Sequence, residues 1–299
     1  MNGSIYNIPM NLIMTLFYYN KGLFEKYDIS VPKTYSDLLT VKEKLAGTSI
    51  LPMAYAGKEL WWNPMMYYAL LPMYTDNDAQ NFTKGTLRGD HKWTDVEYVD
   101  ALKKLKSLMD DKILTQESLG LDYNGLISMF VQGGVATVYQ GTWFYAEGIK
   151  PAMPEGFDLG VFPIPAIEGK GFGQPCGCTD VALSVYAKSK NKDLALKFID
   201  FALNESTGKM MAEMGFLSAL KDVKPVDSTM QELMSIYEGV PLEHLLDHLW
   251  EPQIIQEYQM AIQGLLLGKS TPEDVAKRIQ EVQDQLVKEG KSYKDIFSK

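Results

Sequence analysis

The chain has 299 residues, of which 46% are hydrophobic and 22% charged, a composition typical of a folded protein of about two domains. Its 38 acidic and 29 basic residues give a net charge of −9, and arginine occurs only at Arg88 and Arg278, which argues against nucleic acid as a partner. No run approaches the roughly 18 to 20 apolar residues that a bilayer span requires. Cys176 and Cys178 are too few for a disulfide framework or a zinc site.

The first half of the chain alternates short strand and helix signals. Thr34 and Asp37 have the spacing of a capping box, and the apolar positions Leu38, Val41 and Leu45 predict one helical face that ends before Gly47. The other predicted elements are strands at residues 5–8, 14–19 and 52–56, a helix over 59–74, a polar surface loop at 75–92 and a helix capped by Thr94.

The second half begins with a β-turn-α unit and then becomes mostly helical. A helix at 124–132 precedes a strand at 135–139, which turns into another helix at Gly141. Two further strands, at 159–164 and 181–186, bracket a linker-like connection rich in Gly, Pro and Cys. From residue 192 onward we predict helices, with apolar faces at Leu194, Phe198, Phe201 and at Ile255, Tyr258, Ile262, Leu265, and with a last helix capped by Thr271.

Strands separated by helical segments predict an α/β fold with a largely parallel sheet. In such sheets ligands bind outside the carboxyl ends of the strands. Two strand exits carry tryptophan beside amide, hydroxyl or carboxylate groups, a combination that suits a pyranose, whose C–H face can lie on an indole while its hydroxyls need hydrogen-bond partners. The candidate ligand contacts on these exits are Tyr55, Glu59, Trp61, Trp62, Gln140 and Trp143.

Neighbouring tryptophans on a helix point about 100° apart, so we expect one of Trp61 and Trp62 to face a ligand and favour Trp62. The same tryptophans would equally suit a core or a lobe interface. Trp250 is a further candidate for stacking on a sugar, with packing as the alternative.

Catalytic and metal-binding patterns are weak. His244 and His248 have the i, i+4 spacing of a two-histidine metal site, but Leu245 stands where a metalloprotease needs Glu, and a solvated helix face is the simpler interpretation. No nucleophile elbow, Walker loop or dinucleotide fingerprint is found. A carboxylate pair for glycoside cleavage stays open, because it depends on spatial separation.

Several segments, taken in order, resemble the sugar-binding proteins of ABC importers, the extracellular solute-binding family that includes the maltose-binding protein. The resemblance rests on residues 3–9 (GSIYNIP), 16–27 (LFYYNKGLFEKY), 31–38 (VPKTYSDL), 130–143 (FVQGGVATVYQGTW), 161–165 (VFPIP) and 268–275 (GKSTPEDV). It spans almost the whole chain. In this family the tryptophan that corresponds to Trp143 commonly packs against bound sugar.

The resemblance implies a type II periplasmic-binding-protein fold with a complete C-terminal lobe, residues 1–178 and 223–299, and a partial N-terminal lobe, residues 179–222. On this basis the chain would be a fragment or the product of a gene model that begins too late, because family members carry a signal peptide and about one more domain before the first segment. Crossovers near residues 7–11 and 177–181 would form the hinge, so Asn11 and Asp180 join the candidate ligand contacts.

The implied function is capture of a mono- or oligosaccharide between two lobes for delivery to ABC permease subunits, without catalysis and without a cofactor. The resemblance implies a monomer located outside the cell, at its surface or in the periplasm, although residues 1–4 lack the basic start of a signal peptide. Contact with the membrane would be through a lipid anchor or the permease. The alternatives are a carbohydrate-active hydrolase and a binding protein for a non-sugar solute such as a polyamine or a metal.

Overall fold

The computed structural model describes residues 5–170, 175–291 and 293. Its strands are β1 (Ile8–Pro9), β2 (Asn11–Asn20), β3 (Leu51–Ala54), β4 (Val135–Gly141), β5 (Leu159–Phe162), β6 (Gly177–Thr179), β7 (Ala182–Leu183) and β8 (Leu217–Ser218). Its α-helices are α1 (Lys21–Lys26), α2 (Tyr35–Lys44), α3 (Met65–Leu70), α4 (Ala79–Arg88), α5 (Val96–Asp110), α6 (Gln116–Leu119), α7 (Tyr123–Val131), α8 (Lys150–Ala152), α9 (Lys192–Ala202), α10 (Glu205–Met214), α11 (Ser228–Ile236), α12 (Pro252–Leu266) and α13 (Pro272–Lys288). Shorter turns of 3₁₀-helix lie at Leu60–Trp62, Leu71–Tyr74 and Leu246–His248, and a π-helix at Phe144–Ile149.

The main sheet has six strands and is built around the long strand β2. Its first half pairs with β6 and β8, its second half with β4 and β5, and all four pairings are antiparallel. Within the described residues, β3 and β4 are the pair that runs parallel. The prediction of a largely parallel sheet is therefore wrong, because the first long strand runs opposite to the strands that later insert on both its sides.

The sheet lies between two apolar layers. Alternate residues of β2 point to opposite faces, so Phe17 and Tyr19 enter one core cluster while Leu16 and Tyr18 enter the other. The first cluster packs the sheet against α2, α3, α5, α12 and α13, and the second packs it against α7, α11 and the π-helix. This is the three-layer α/β arrangement in which both sheet faces are covered.

Two helix starts follow the sequence closely. The Thr34 side chain accepts a hydrogen bond from the Asp37 N–H at 3.2 Å, and the Asp37 carboxylate accepts one from the Thr34 N–H at 2.8 Å. Thr271 forms the same capping box at the start of α13. The predicted cap at Thr94 is displaced by one residue, because Asp95 is the N-cap of α5.

Other sequence predictions fail. The predicted surface loop at 75–92 contains α4, whose buried residues include Thr83 and Gly85 as well as the apolar Leu87. The region before α12 is mostly irregular, so His244 and His248 do not share a helix face. The predicted strand at 181–186 shortens to β7, and residues 171–174 of the preceding connection lie outside the described residues. No helix of the described part is long and apolar enough to cross a bilayer.

Candidate functional site

The two tryptophan-bearing exits meet at one edge of the sheet. Because β3 and β4 are parallel, with Ala54 opposite Val138, their carboxyl ends point to the same side. The loop after β3 carries Trp61, and the turn after β4 carries Trp143. Their ring centroids lie 6.3 Å apart at an interplanar angle of 56°. The predicted meeting of these exits is confirmed, and we call this pair the aromatic platform.

Of the two adjacent tryptophans, Trp61 is the accessible one. Trp61 is 41% exposed and Trp62 only 2%, with the rings edge to face at 5.1 Å. The expectation that Trp62 faces the ligand is therefore wrong. Both residues lie on a 3₁₀ turn, in which neighbours point about 120° apart, so when one ring enters the core the other is turned outward. Trp62 supports the platform from below, with its ring 6.4 Å from that of Trp143.

The position of Trp143 depends on the glycine that ends β4. A Cβ atom placed on Gly141 would lie 2.0 Å from the Trp143 ring, so the indole occupies the space that any other residue at 141 would fill. The ring is half-buried against both core clusters. The π-helix Phe144–Ile149 follows directly, and such helices are rare and frequent at functional sites.

The turn that carries Trp61 is fixed by hydrogen bonds to its backbone. The Lys58 N–H donates to the Leu121 carbonyl at 3.0 Å, and the Gln263 side chain donates to the Gly57 carbonyl at 3.2 Å. A Cβ on Gly57 would come within 2.5 Å of the Leu119 backbone, so only glycine allows this close approach. Glu59 is half-buried next to this turn and remains a candidate ligand contact.

Two predicted contacts lie beneath the platform instead of on it. Gln140 is fully buried, since its register opposite Leu16 directs it into the core. Tyr55 is 5% exposed, and burial raises the pKa of its hydroxyl far above the ordinary range. The structure therefore corrects the expectation that these two side chains touch a ligand directly. Neither the Gln140 amide nor the Tyr55 hydroxyl has a hydrogen-bond partner within the described residues.

Asn11 and Asp180 join the two chain segments predicted as crossovers. The Asn11 amide donates to the Asp180 carboxylate at 2.9 Å, and the Val181 N–H donates to the Asn11 side-chain oxygen at 3.2 Å. Asn11 is 2% exposed, so the expectation that it contacts a ligand is wrong, and its side chain instead links the two crossovers. Asp180 is exposed. Partial desolvation, followed by the negative charge of Asp180, raises the pKa of Glu147.

Trp250 belongs to a different aromatic group, within the helical part of the molecule. Its ring stacks on Tyr258 at 4.4 Å and meets the edges of Tyr68 and Trp93 at 5.3 and 5.4 Å. It is 5% exposed. Trp250 therefore packs inside the protein, and the expectation that it stacks on a sugar is wrong. We call Tyr67, Tyr68, Trp93, Tyr98, Trp250 and Tyr258 the helical aromatic cluster.

Sequence reasoning missed Tyr123, the first residue of α7. Its half-buried ring lies 6.4 Å from that of Trp61 and contacts Phe144 edge to face at 5.6 Å. Tyr123 extends the aromatic surface beside the platform. The available signal was an aromatic residue directly after Asp122, which caps the helix by accepting from the Gly125 N–H.

The described residues include no group of three or more His, Cys, Asp or Glu side chains arranged to hold a metal ion. Burial, and then the neighbouring His248, lowers the pKa of His244. Neither His244 nor His248 belongs to a group of three or more such side chains within the described residues.

Comparison with known proteins shows the family of this chain. The sequence family of the bacterial extracellular solute-binding proteins matches residues 1–209. The melibiose/raffinose/stachyose-binding protein MelE of Bacillus subtilis is 26% identical over 285 residues, which are 93% of this chain and 66% of that protein. The multiple sugar-binding protein of Streptococcus mutans is 27% identical over 202 residues, which are 67% of this chain and 47% of that protein. The chain thus spans between about half and two thirds of these curated relatives.

Among solved structures, a chitin oligosaccharide binding protein has a TM-score of 0.85 at 25% identity, covering 97% of this chain and 74% of that one. A sugar transporter protein of Bacillus licheniformis in complex with stachyose has a TM-score of 0.80 at 22% identity, covering 95% and 74%, and shows the same fold. These similarities confirm the predicted α/β fold of periplasmic solute-binding proteins. Because the family model covers more than half of the chain, this protein belongs to the bacterial extracellular solute-binding protein family.

Proposed function

We propose that the chain is the substrate-binding component of a carbohydrate ABC importer and captures a mono- or oligosaccharide on the aromatic platform. The observation that carries the proposal is the meeting of Trp61 and Trp143 at one sheet edge, with centroids 6.3 Å apart and Trp61 41% exposed. Exposed aromatic rings grouped at one edge of a protein are a common feature of a binding surface. The names of the relatives, which bind melibiose, raffinose, stachyose or chitin oligosaccharides, agree with a saccharide.

The chemistry of the platform suits a sugar. The C–H face of a pyranose covers an indole and gains apolar contact, while its hydroxyl groups must each find a polar partner or cost about 1–3 kcal/mol. Glu59 is half-buried and Asp180 is exposed, so both carboxylates are candidates to accept hydrogen bonds from sugar hydroxyls. We infer that the rings contribute most of the contact area and that these carboxylates contribute selectivity.

A hinge at the paired crossovers would allow capture between two lobes. The strands β1 and β7 form a separate two-stranded ribbon, and the Met10 N–H donates to the Val181 carbonyl at 2.8 Å where the two segments leave the main sheet. We propose that these paired crossovers join a lobe of residues 1–178 and 223–299 to a second lobe that includes residues 179–222. Hinge closure would then cover a sugar bound on the platform.

The helix α9 supports a place for residues 179–222 inside a second lobe. The predicted apolar face, Leu194, Phe198 and Phe201, is 67%, 60% and 74% exposed, contrary to the expectation of a buried face. Three large apolar side chains on one helix normally pack against other protein. We propose that this face lies in the interior of the complete second lobe.

The proposed partners follow from the importer role. A captured sugar is handed unchanged to the permease subunits, so the proposal includes no catalytic step. Delivery through a permease places the protein at the outer face of the cytoplasmic membrane, either in the periplasm or at the cell surface, where it would act as a monomer.

Isothermal titration calorimetry of the chain against melibiose, raffinose, stachyose and chitin oligosaccharides tests the proposal. We expect saturable binding of at least one sugar without turnover, and a loss of at least tenfold in affinity in Trp143→Ala and Trp61→Ala. Trp93→Phe, within the helical aromatic cluster, is the matched control and should bind normally. Binding of a polyamine or metal ion in place of every sugar, or release of free monosaccharide, would contradict the proposal.

A further inference from the structure

A small cavity lies directly beneath the turn that carries Trp61. It has a volume of about 10 Å³ and is bordered by the Tyr55, Trp62, Asn63 and Tyr139 side chains. Aliphatic side chains, including Met53 and Leu266, close the rest of its wall. A volume of roughly 10–15 Å³ is what one water molecule requires.

Three buried polar atoms of residues that border this cavity have no hydrogen-bond partner within the described residues. They are the hydroxyls of Tyr55 and Tyr139 and the side-chain oxygen of Asn63. The Asn63 amide nitrogen donates to the Gln259 carbonyl at 3.2 Å, which fixes the orientation of the amide and leaves its oxygen as an acceptor at the cavity. The raised pKa of the Tyr55 hydroxyl keeps it protonated and able to donate. The wall therefore carries a donor, the Tyr55 hydroxyl, and an acceptor, the Asn63 oxygen, that are not hydrogen-bonded to each other, with the Tyr139 hydroxyl as a further polar group.

We propose that this cavity is the binding site of a single structural water that bridges Tyr55 and Asn63. The water accepts a hydrogen bond from the Tyr55 hydroxyl and donates one to the Asn63 oxygen, so both buried groups are satisfied. Without such a bridge each group would keep the full desolvation cost of a buried, unbonded polar atom. The apolar remainder of the wall confines the water to this position.

The bridging water would link the 3₁₀ turn that carries Trp61 to the sheet. Tyr55 directly follows β3, and Asn63 directly follows the 3₁₀ turn Leu60–Trp62. Because Asn63 is also bonded to α12 through Gln259, the water completes a link from strand to turn to helix. This role in holding the Trp61 ring rests on the proposed function, whereas the water site itself does not depend on any sugar.

The sign of the stability change in Tyr55→Phe tests the site. Phenylalanine keeps the ring and removes only the hydroxyl. If the hydroxyl donates to a bound water, Tm falls by roughly 2–4 °C. If the hydroxyl is unbonded, its removal relieves a desolvation cost and Tm is unchanged or rises, which would overturn the proposal. Tyr186→Phe, at a side chain that is 71% exposed, is the matched control and should leave Tm unchanged.

Two further measurements make the test independent of Tm alone. A high-resolution crystal structure without sugar should show one water within 2.6–3.2 Å of both the Tyr55 hydroxyl and the Asn63 oxygen. A double-mutant cycle with Asn63→Ala should show a combined Tm decrease smaller than the sum of the two single decreases. Absence of the water, or strictly additive decreases, would overturn the bridge. Neither measurement involves a ligand, so failure here is separate from failure of sugar binding.

Discussion

The aromatic platform and the helical aromatic cluster use the same residue types for different purposes. In the cluster, Trp250 has one face against Tyr258 and its edges against Tyr68 and Trp93, and it is 5% exposed. In the platform, Trp61 meets Trp62 only edge to face and stays 41% exposed. A tryptophan whose faces are covered by other rings stabilises the fold, whereas one with an open face can bind.

The difference arises from what surrounds each ring. Helices α3, α5 and α12 bring Tyr67, Tyr98 and Tyr258 together from distant parts of the chain, so aromatic partners fill the space around Trp250. At the sheet edge the strands end, and loops replace the layer that would otherwise cover the rings. The comparison predicts that substitutions in the cluster mainly reduce stability and that substitutions in the platform mainly reduce affinity.

The largest expected effect is on stability in Trp250→Ala. Removing a buried, stacked indole should lower the free energy of unfolding by about 3–5 kcal/mol, because a cavity replaces the ring contacts. The same change at the exposed Trp61 should cost about 1 kcal/mol or less. Urea unfolding of both variants measures the difference. Equal destabilisation of the two would contradict the proposed division of roles.

At Glu243, which lies near the start of α4 in the helical part of the molecule, we expect a pH effect on stability on the order of 3–4 kcal/mol. Glu243 is 6% exposed, and its burial raises the pKa of the carboxyl group to about 7. The folded state then holds the proton more tightly than the unfolded state, whose pKa is about 4.3. This stabilisation is complete below about pH 4.3 and is lost as the pH rises to about 7.

The measurement for Glu243 is the free energy of unfolding against pH for the wild-type protein and for Glu243→Gln. The wild-type protein should lose stability relative to the variant between about pH 4.3 and 7, because the glutamine stays neutral. Glu238→Gln, at an exposed position, is the control and should follow the wild-type curve. Parallel curves for the wild-type protein and Glu243→Gln would refute the effect.

Gly141→Ala should move the Trp143 ring without removing it. The added methyl group would lie about 2 Å from the indole, so the ring must shift and the overpacked site should lose about 1–3 kcal/mol of stability. Sugar affinity should fall about tenfold. In the double variant Gly141→Ala/Trp143→Ala the steric conflict is gone, so the cost of Gly141→Ala should largely disappear. Additive costs would show that the ring does not occupy this space.

The smallest expected effect is the loss of stability when the capping box of α13 is removed. Thr271 caps α13, which packs on α5 and α12. Thr271→Ala should cost about 1 kcal/mol through loss of the capping hydrogen bonds. Thermal unfolding should place this variant well above Trp250→Ala in stability. A cost as large as that of Trp250→Ala would mean that helix capping, and not ring packing, dominates the stability of this region.

The sequence alone was sufficient for features that depend on local signals. The caps at Thr34 and Thr271 need only the spacing of a capping box. The meeting of the Trp61 and Trp143 loops follows from two strands that end in the same direction, even though the rest of the sheet is antiparallel. The platform was therefore predictable without knowing the complete topology.

Features that depend on distant neighbours were not predictable. Trp61 and Trp62 are adjacent, and only the position of the core decides which ring is buried. Trp250 is covered by rings that lie far away in the sequence. Helix α4 was not recognised because the buried residues Thr83, Gly85 and Thr86 interrupt the apolar pattern of its core-facing side. A Cβ on Gly85 would lie 2.8 Å from His91, so the helix packs closely at this point without an apolar side chain.

The most direct test of the platform is a crystal structure of the protein with the saccharide that binds most tightly in calorimetry. We predict that the C–H face of one pyranose ring lies on Trp143, with carbon contacts of about 3.5–4.0 Å, and that Trp61 borders the same sugar. A sugar bound elsewhere, with both indole rings untouched, would contradict the account.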